Sequence, residues 1–143
     1  MHSIIASPTD GALLQVTGDI MRVLATAEQT GNNYEMFIME ALEGSGPPPH
    51  AHPWSEAYFV LEGEADVFLD GQHLSATTGC FVQIPAGTMH AHRVTSKSAR
   101  FVVVTSPKGA SGFFHEVHAE TDLEKVVGVA VKHGFTVPSP AGA

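Results

Sequence analysis

The chain has a single cysteine, Cys80, among 143 residues. No internal disulfide can form, so the fold must rest on its apolar core. Cys80 itself reads as a small buried apolar residue. Cations are scarce as well: seven Lys plus Arg stand against fifteen Asp plus Glu, a net charge of −8. That balance supplies no basic patch for nucleic acid or for an anionic membrane surface. No apolar run approaches the length of a membrane span. The opening Met1-His-Ser-Ile-Ile-Ala-Ser-Pro8 has no basic region followed by a long apolar stretch, so it does not read as a signal peptide. A cytoplasmic location is expected by elimination.

Histidine is abundant instead. Its nine copies outnumber lysine and arginine together, which suits a metal-binding protein. The rest of the pattern is short strands punctuated by turns. Ala12–Thr17 and Ile20–Leu24 flank Gly18-Asp19, read as a two-residue hairpin turn. Tyr34–Ala41, Ala57–Leu61, Val67–Leu69, Phe81–Ile84 and Arg100–Thr105 are further strands. Asp70-Gly71 is a second tight turn. The apolar run Arg100–Thr105 is expected to be buried on both faces. After Pro107 the period changes. Gly112–Val117 reads as a short helix, and Thr121-Asp-Leu-Glu124 as a capping box opening a helix over Leu123–His133. Gly134 then serves as its stop. The tail Pro138–Ala143 is expected to be loose. No repeat, linker or second domain is visible, and the length suits one domain over residues 1–143. Its strands are expected over about 10–106 and its helical tail over about 110–134.

Two stretches carry the chemistry. The first is Gly44-Ser-Gly-Pro-Pro-Pro-His50-Ala-His52-Pro-Trp-Ser-Glu56 with Gly63 beyond it. The second is Gly79, five residues, then Pro85-Ala-Gly87-Thr-Met-His90. Strand side chains alternate with a period of two, so His50, His52, Glu56, Tyr58 and Val60 share one face. His90, His92 and Val94 share another. Pro47-Pro48-Pro49 stiffens the approach to His50. Phe81–Ile84 is the strand expected beside Glu56, and Pro85–Gly87 the turn that re-aims the chain toward His90. Three imidazoles and a carboxylate are a donor set for a divalent transition metal that keeps open coordination positions.

The pattern Gly-x5-His-x-His-x3-Glu-x6-Gly, followed by Gly-x5-Pro-x-Gly-x2-His, resembles the paired signature motifs of the cupin superfamily. All nine fixed positions match: Gly44, His50, His52, Glu56, Gly63, Gly79, Pro85, Gly87 and His90. The family pattern usually ends with Asn after three more residues; here Val94 stands there, so any polar contact of that Asn near a substrate is lost. The resemblance implies an all-β fold, an antiparallel double-stranded β-helix (jelly-roll barrel), here with a short C-terminal helical tail. It implies one divalent ion per chain (iron, manganese, nickel, cobalt, copper or zinc) on His50, His52, Glu56 and His90.

Such an ion would lower the pKa of a bound substrate and orient it, and Glu56 could serve as base. The layout, with Ser106-Pro107 after the last strand and Phe113-Phe114 beyond, looks like single-domain cupins similar to flavonol dioxygenases. The leading expectation is a dioxygenase of an aromatic or enolic small molecule. The alternatives are a non-redox polyketide cyclase or isomerase, or a ligand-binding module without turnover. A homodimer is expected, because open sheet edges need cover.

Tyr58, His92, Val94 and Trp54 are the pocket candidates. Trp54 either walls the pocket mouth or packs outside the barrel or in a dimer contact. Met36, Met39, Tyr58, Val60 and Phe101 read mainly as core, His73 as solvated, and His115, His118 and His133 as histidines of the tail without a chemical role. Phe113 and Phe114 read as a lid or a packing helix over one barrel end.

Overall fold

The computed structural model describes residues 1–138, so all but the first residue of the Pro138–Ala143 tail lies outside the described residues. Nine strands come first: β1 Leu13–Val16, β2 Asp19–Ala25, β3 Glu35–Leu42, β4 Ser55–Glu62, β5 Ala65–Leu69, β6 Gln72–Ala76, β7 Phe81–Ile84, β8 His90–Val94 and β9 Ser98–Ser106. Two helices follow, α1 Ser111–Glu116 and α2 Leu123–Lys132. The strands form two antiparallel sheets, one ordered β1-β2-β3-β9-β4-β7 and the other β6-β5-β8. The fold is mostly β with short helices at the C-terminal end, as the motifs imply.

Alternation decides which residues enter the core. β2 buries Asp19, Met21, Val23 and Ala25, β3 buries Glu35, Phe37, Met39 and Ala41, and β9 buries Ala99, Phe101, Val103 and Thr105. Of these, Met21, Val23, Phe37, Met39, Ala41, Ala99, Phe101 and Val103 join Val60, Val67 and Ile84 in the apolar core between the sheets. The apolar run in β9 is therefore not buried on both faces. Val102 and Val104 are only half-buried, because no described layer covers the outer side of the large sheet.

Three local expectations shift. The first hairpin turns at Thr17-Gly18, with φ of 48° and 92°, and not at Gly18-Asp19. Asp19 is the first residue of β2, buried, and accepts a bond from the Ser45 hydroxyl. Two successive positive φ values match the right-handed twist of the flanking strands. The turn Asp70-Gly71, at 50° and 78°, lies where the sequence places it. The cap of α2 is Asp122, whose carboxylate accepts from the Glu124 N–H at 3.0 Å. Cys80 is half-buried just before β7, and its sulfur accepts from the Thr77 N–H at 3.4 Å.

The helices close one end of the barrel. Phe113 is buried, and the Phe114 ring meets Phe37 edge-on at 5.2 Å between centroids. The buried Glu35 ties α1 down: it accepts from the Ala27 and Ser111 N–H groups at 3.2 and 3.0 Å and from the Thr105 and Ser111 hydroxyls. Among the described residues no helix is long and apolar enough to cross a membrane.

Candidate metal centre

The loop Gly44–His50 is stitched antiparallel to β8, and this brings the two motifs together. The Gly44 N–H donates to the Val94 carbonyl at 2.8 Å, and the Val94 N–H to the Ser45 carbonyl at 2.8 Å. Farther along, His50 and His90 exchange backbone bonds at 3.0 and 2.9 Å. Gly46 lies between these contacts with φ of 151°, and a Cβ there would stand 1.8 Å from the His92 carbonyl oxygen. Only glycine permits that approach. β7 pairs with β4, Ile84 opposite Glu56, as expected. His90, however, opens a strand of the smaller sheet, so the site spans both sheets.

His50, His52 and His90 offer ring nitrogens that all lie within 4.8 Å of one another. Each ring is locked in one sense. Nδ1 of His50 meets the Pro48 carbonyl at 2.9 Å, that of His52 the Trp54 carbonyl at 2.9 Å, and that of His90 the Thr88 carbonyl at 2.8 Å. A carbonyl only accepts, so each Nδ1 carries the proton and each Nε2 of a neutral ring presents a lone pair. Metal-ligating histidines are oriented by such partners. Glu56 is not part of that three-histidine group but stands beside it, its Oε2 lying 2.8 Å from His52 Nε2 and 3.6 Å from His90 Nε2.

Two lone pairs 2.8 Å apart require a cation between them, a proton or a metal ion. Neighbouring donors on an ion with bonds of about 2.1 Å sit roughly 3 Å apart, so the donor set fits a transition metal. The buried His90 Nε2 has no hydrogen-bond partner among the described residues, which fits the same use.

The electrostatics follow from burial and pairing. Burial alone would push the Glu56 carboxyl up, but the His52 and His90 rings outweigh it and hold it well below the carboxylate range. For His90, burial works against the charged form, and the Glu56 carboxylate 3.6 Å from Nε2 overcomes it to raise the pKa. His50 is lowered to about 4, mainly by burial and then by the neighbouring His90. His92 is also lowered to about 4 by burial. Burial, and then the Glu56 charge, push the Tyr58 hydroxyl well above its ordinary value.

The remaining predicted residues fall into two groups. Tyr58 and His92 stand on the inner faces of β4 and β8, one step past Glu56 and His90, with ring centroids 6.0 Å apart. Val94 is fully buried one step farther along β8. Trp54 is buried and stacks flat on His52, with centroids 4.6 Å apart and planes 7° apart. It packs behind that ligand, where a Cβ on Gly109 would meet its ring at 2.7 Å. His73 is exposed and pairs with Asp66 at 3.2 Å. His118 accepts from the Gln15 N–H, and His133 meets Glu116 at 3.1 Å; neither belongs to the cluster.

Sequence reasoning missed Phe135. The C-terminal segment pairs with the ligand loop, Thr136 and Ala51 exchanging bonds at 2.9 and 2.8 Å. This sets the Phe135 ring 5.6 Å from His50, 5.5 Å from His52 and 5.2 Å from Trp54. A groove of about 290 Å³ beside it is lined by Ala51, His52, Pro53, Gly87, Met89, Gly134 and Thr136.

Known proteins match this chain as follows. The cupin domain family model aligns with residues 37–105. Quercetin 2,3-dioxygenase of Bacillus subtilis is 32% identical over 87 residues, which are 60% of this chain and 26% of that protein. The chain thus spans about a quarter of that relative. An uncharacterized protein of Streptomyces coelicolor is 31% identical over 72 residues, 50% of this chain and 67% of the relative. Among solved structures, the polyketide cyclase RemF from Streptomyces resistomycificus superposes with a TM-score of 0.65 at 23% identity. The match covers 75% of this chain and 81% of that one, and it is a likeness of fold.

Proposed function

Because this chain belongs to the cupin superfamily, we propose that it is a metal-dependent enzyme holding one divalent ion per chain on His50, His52, Glu56 and His90. The reaction proposed is oxygenation of a small aromatic or enolic molecule by dioxygen. One observation carries the reading: three buried or half-buried imidazoles turn Nε2 lone pairs toward one point beside a carboxylate, each fixed by a carbonyl at Nδ1. The likeness to quercetin 2,3-dioxygenase over the motif region supports the choice of reaction. When bound, a redox-active ion would bring the organic molecule and dioxygen together and acidify the substrate's hydroxyl.

The chain's own residues supply the rest. Glu56 is held as a carboxylate by its pairing with the imidazoles, so it takes a substrate proton only where the substrate's approach loosens that pairing. Trp54 and Phe135 keep water off the back of His52 and fix its plane. The test is elemental analysis of protein from its native source, followed by dioxygen uptake over a panel of flavonols and polyketide-like enols. Uptake that tracks iron, manganese, nickel, cobalt or copper content supports the reading. Turnover without dioxygen, equal with zinc, would replace it by a cyclase or isomerase. Ligand binding without product would replace it by a binding module.

The same reading takes the chain as a two-fold dimer. On the outer face of the large sheet Phe59 and Phe81 are direct cross-strand neighbours, 42% and 63% exposed, beside the half-buried Val102 and Val104. Packing this face on a second copy would remove it from water. Light scattering at micromolar concentration should give twice the chain mass, and a clean monomer would refute the assembly.

A further inference from the structure

No proposed ligand lies beyond His90, yet the C-terminal segment rests on the centre. After α2 the chain turns at Gly134, with φ of 95°, and passes close over Pro53. A Cβ on this glycine would stand 3.2 Å from the Pro53 Cγ. Phe135 follows, half-buried, and its ring lies against two ligand rings at once, those of His50 and His52. Trp54 and Phe113 are its other ring neighbours, the latter 4.8 Å away between centroids. Thr136 then pairs with Ala51, the residue between the two histidines. All of this lies beyond residue 105, where the family match ends.

The segment is fastened lightly. α2 buries Val126 and Ala130, while Leu123, Val127 and Val131 are exposed. It is linked to α1 through Glu116, which pairs with Lys132 at 3.0 Å and with His133 at 3.1 Å. Solvent-exposed pairs of this kind hold weakly. Beyond α2, two backbone bonds and the Phe135 ring hold the chain to the ligand loop. A segment with few buried contacts opens far more readily than the barrel it lies on. Loss of an ion held by several imidazoles needs the rings to swing, one at a time, off their lone-pair directions. His52 and His90 are each 4% exposed, whereas His50 is half-buried. His50 is thus the ring freest to swing, and Phe135 packs on it.

We propose that Gly134–Thr136 is a retaining strap in which Phe135 is a positioning residue. Docked, it keeps the His50 and His52 imidazoles from rotating, and these rings take up or give up an ion only when the strap lifts. The pace of metal exchange is therefore set by the attachment of the helical tail and not by the barrel. By linkage, metal loading tightens the strap in return. The inference rests on the metal-centre reading, because the strap acts on the ligands of that centre.

The sole tryptophan, Trp54, stacks on His52 and meets Phe135 edge-on at 5.2 Å, so its fluorescence reports docking in metal-free protein. Full-length wild type is compared with Phe135→Ala, Phe135→Leu and Thr136→Pro. The last deletes the N–H donated to the Ala51 carbonyl at 2.8 Å and leaves the rings in place. In metal-free protein, acrylamide should quench Trp54 about twofold more steeply in Phe135→Ala and Thr136→Pro than in wild type. Cobalt-loaded protein is then mixed with excess chelator. Release should speed about tenfold or more in the same two variants, and Phe135→Leu, which restores apolar bulk, should stay within about threefold of wild type. Affinity should fall by no more than about threefold, because loading speeds as well. An affinity loss equal to the gain in release rate would mean that Phe135 only shapes the site, and would overturn the strap. Unchanged quenching would overturn it too. Circular dichroism checks each fold: if Phe135→Ala unfolds, Thr136→Pro decides, and unfolding of both would show a structural foundation and no strap. Cobalt uptake with wild-type release in every variant refutes the strap alone, whereas wild type that takes up no cobalt refutes the metal centre itself.

Discussion

Acidification of the metal-stripped protein should cost stability, and two imidazoles set the size of the effect. His50 and His92 are held near 4, against 6.5 in the unfolded chain. The sign follows from proton counting. The unfolded chain binds a proton on each ring as pH falls through 6.5, and the folded chain refuses it until about 4. Stability from these two groups is therefore complete above 6.5 and is lost as pH falls toward 4. Between pH 7.5 and 5 the linkage integral is about 2 kcal/mol per ring, or roughly 4 kcal/mol for both. Both residues are half-buried, so solvent screening removes about half of that. His90 works the other way. Its pKa is raised, so it adds stability below 6.5 and loses it as pH rises through its folded value. The net expectation is a loss of about 1–3 kcal/mol. Urea unfolding in a chelator at pH 7.5, 6.5, 5.5 and 5.0 measures it. His92→Phe should remove roughly half of the slope. A stability that is flat or rising on acidification, or a slope that ignores His92→Phe, would refute the assignment of these rings as buried and neutral.

Three more outcomes are expected. His50→Ala or His90→Ala should abolish tight metal uptake while far-ultraviolet circular dichroism stays strand-rich, whereas His133→Ala should keep full uptake by elemental analysis. Glu56→Gln should weaken metal binding by about 10–100-fold. In calorimetry across buffers it should also change the number of protons released, because His90 loses the partner that raises its pKa; identical proton release would count against the pairing. Gly46→Ala places a methyl group 1.8 Å from the His92 carbonyl oxygen. It should destabilise the fold by about 3 kcal/mol or more and lower metal uptake with it. A variant as stable as wild type would mean that the loop does not lie on β8.

The strands and the ligand frame were legible because both are local. Turn residues separate the strands, and alternation places Glu56 and Tyr58 on one side of β4; His50 and His52 precede that strand, with isolated bridges at His50 and Ala51 and bends at Pro53 and Trp54, so one continuous strand does not carry all four. What escaped acts over long separations or depends on an unseen neighbour. Glu35 grips Ser111, 76 positions away, and its sequence context shows only a carboxylate at the head of a strand. Phe135 reaches His50 because Thr136 pairs with Ala51, a contact that neither segment signals. The outward residues of β9 look like those of a doubly covered strand, since Val102 and Val104 are apolar on a face that no described layer covers. Gly46 reads as one more loop glycine beside prolines until β8 is seen to run beneath it. The hairpin turn at Thr17-Gly18 slipped by one residue because Asp19 is a common turn residue that here serves the core.

The three carbonyls that hold the imidazoles belong to Pro48, Trp54 and Thr88, each two residues from the ring it fixes. Errors in aim therefore accumulate over a couple of peptide units rather than across the barrel. Each ring and its carbonyl form a small rigid jig, and the sheets need only deliver three jigs to roughly the right place. Drift in the walls then moves whole jigs without twisting the lone pairs away from their common target.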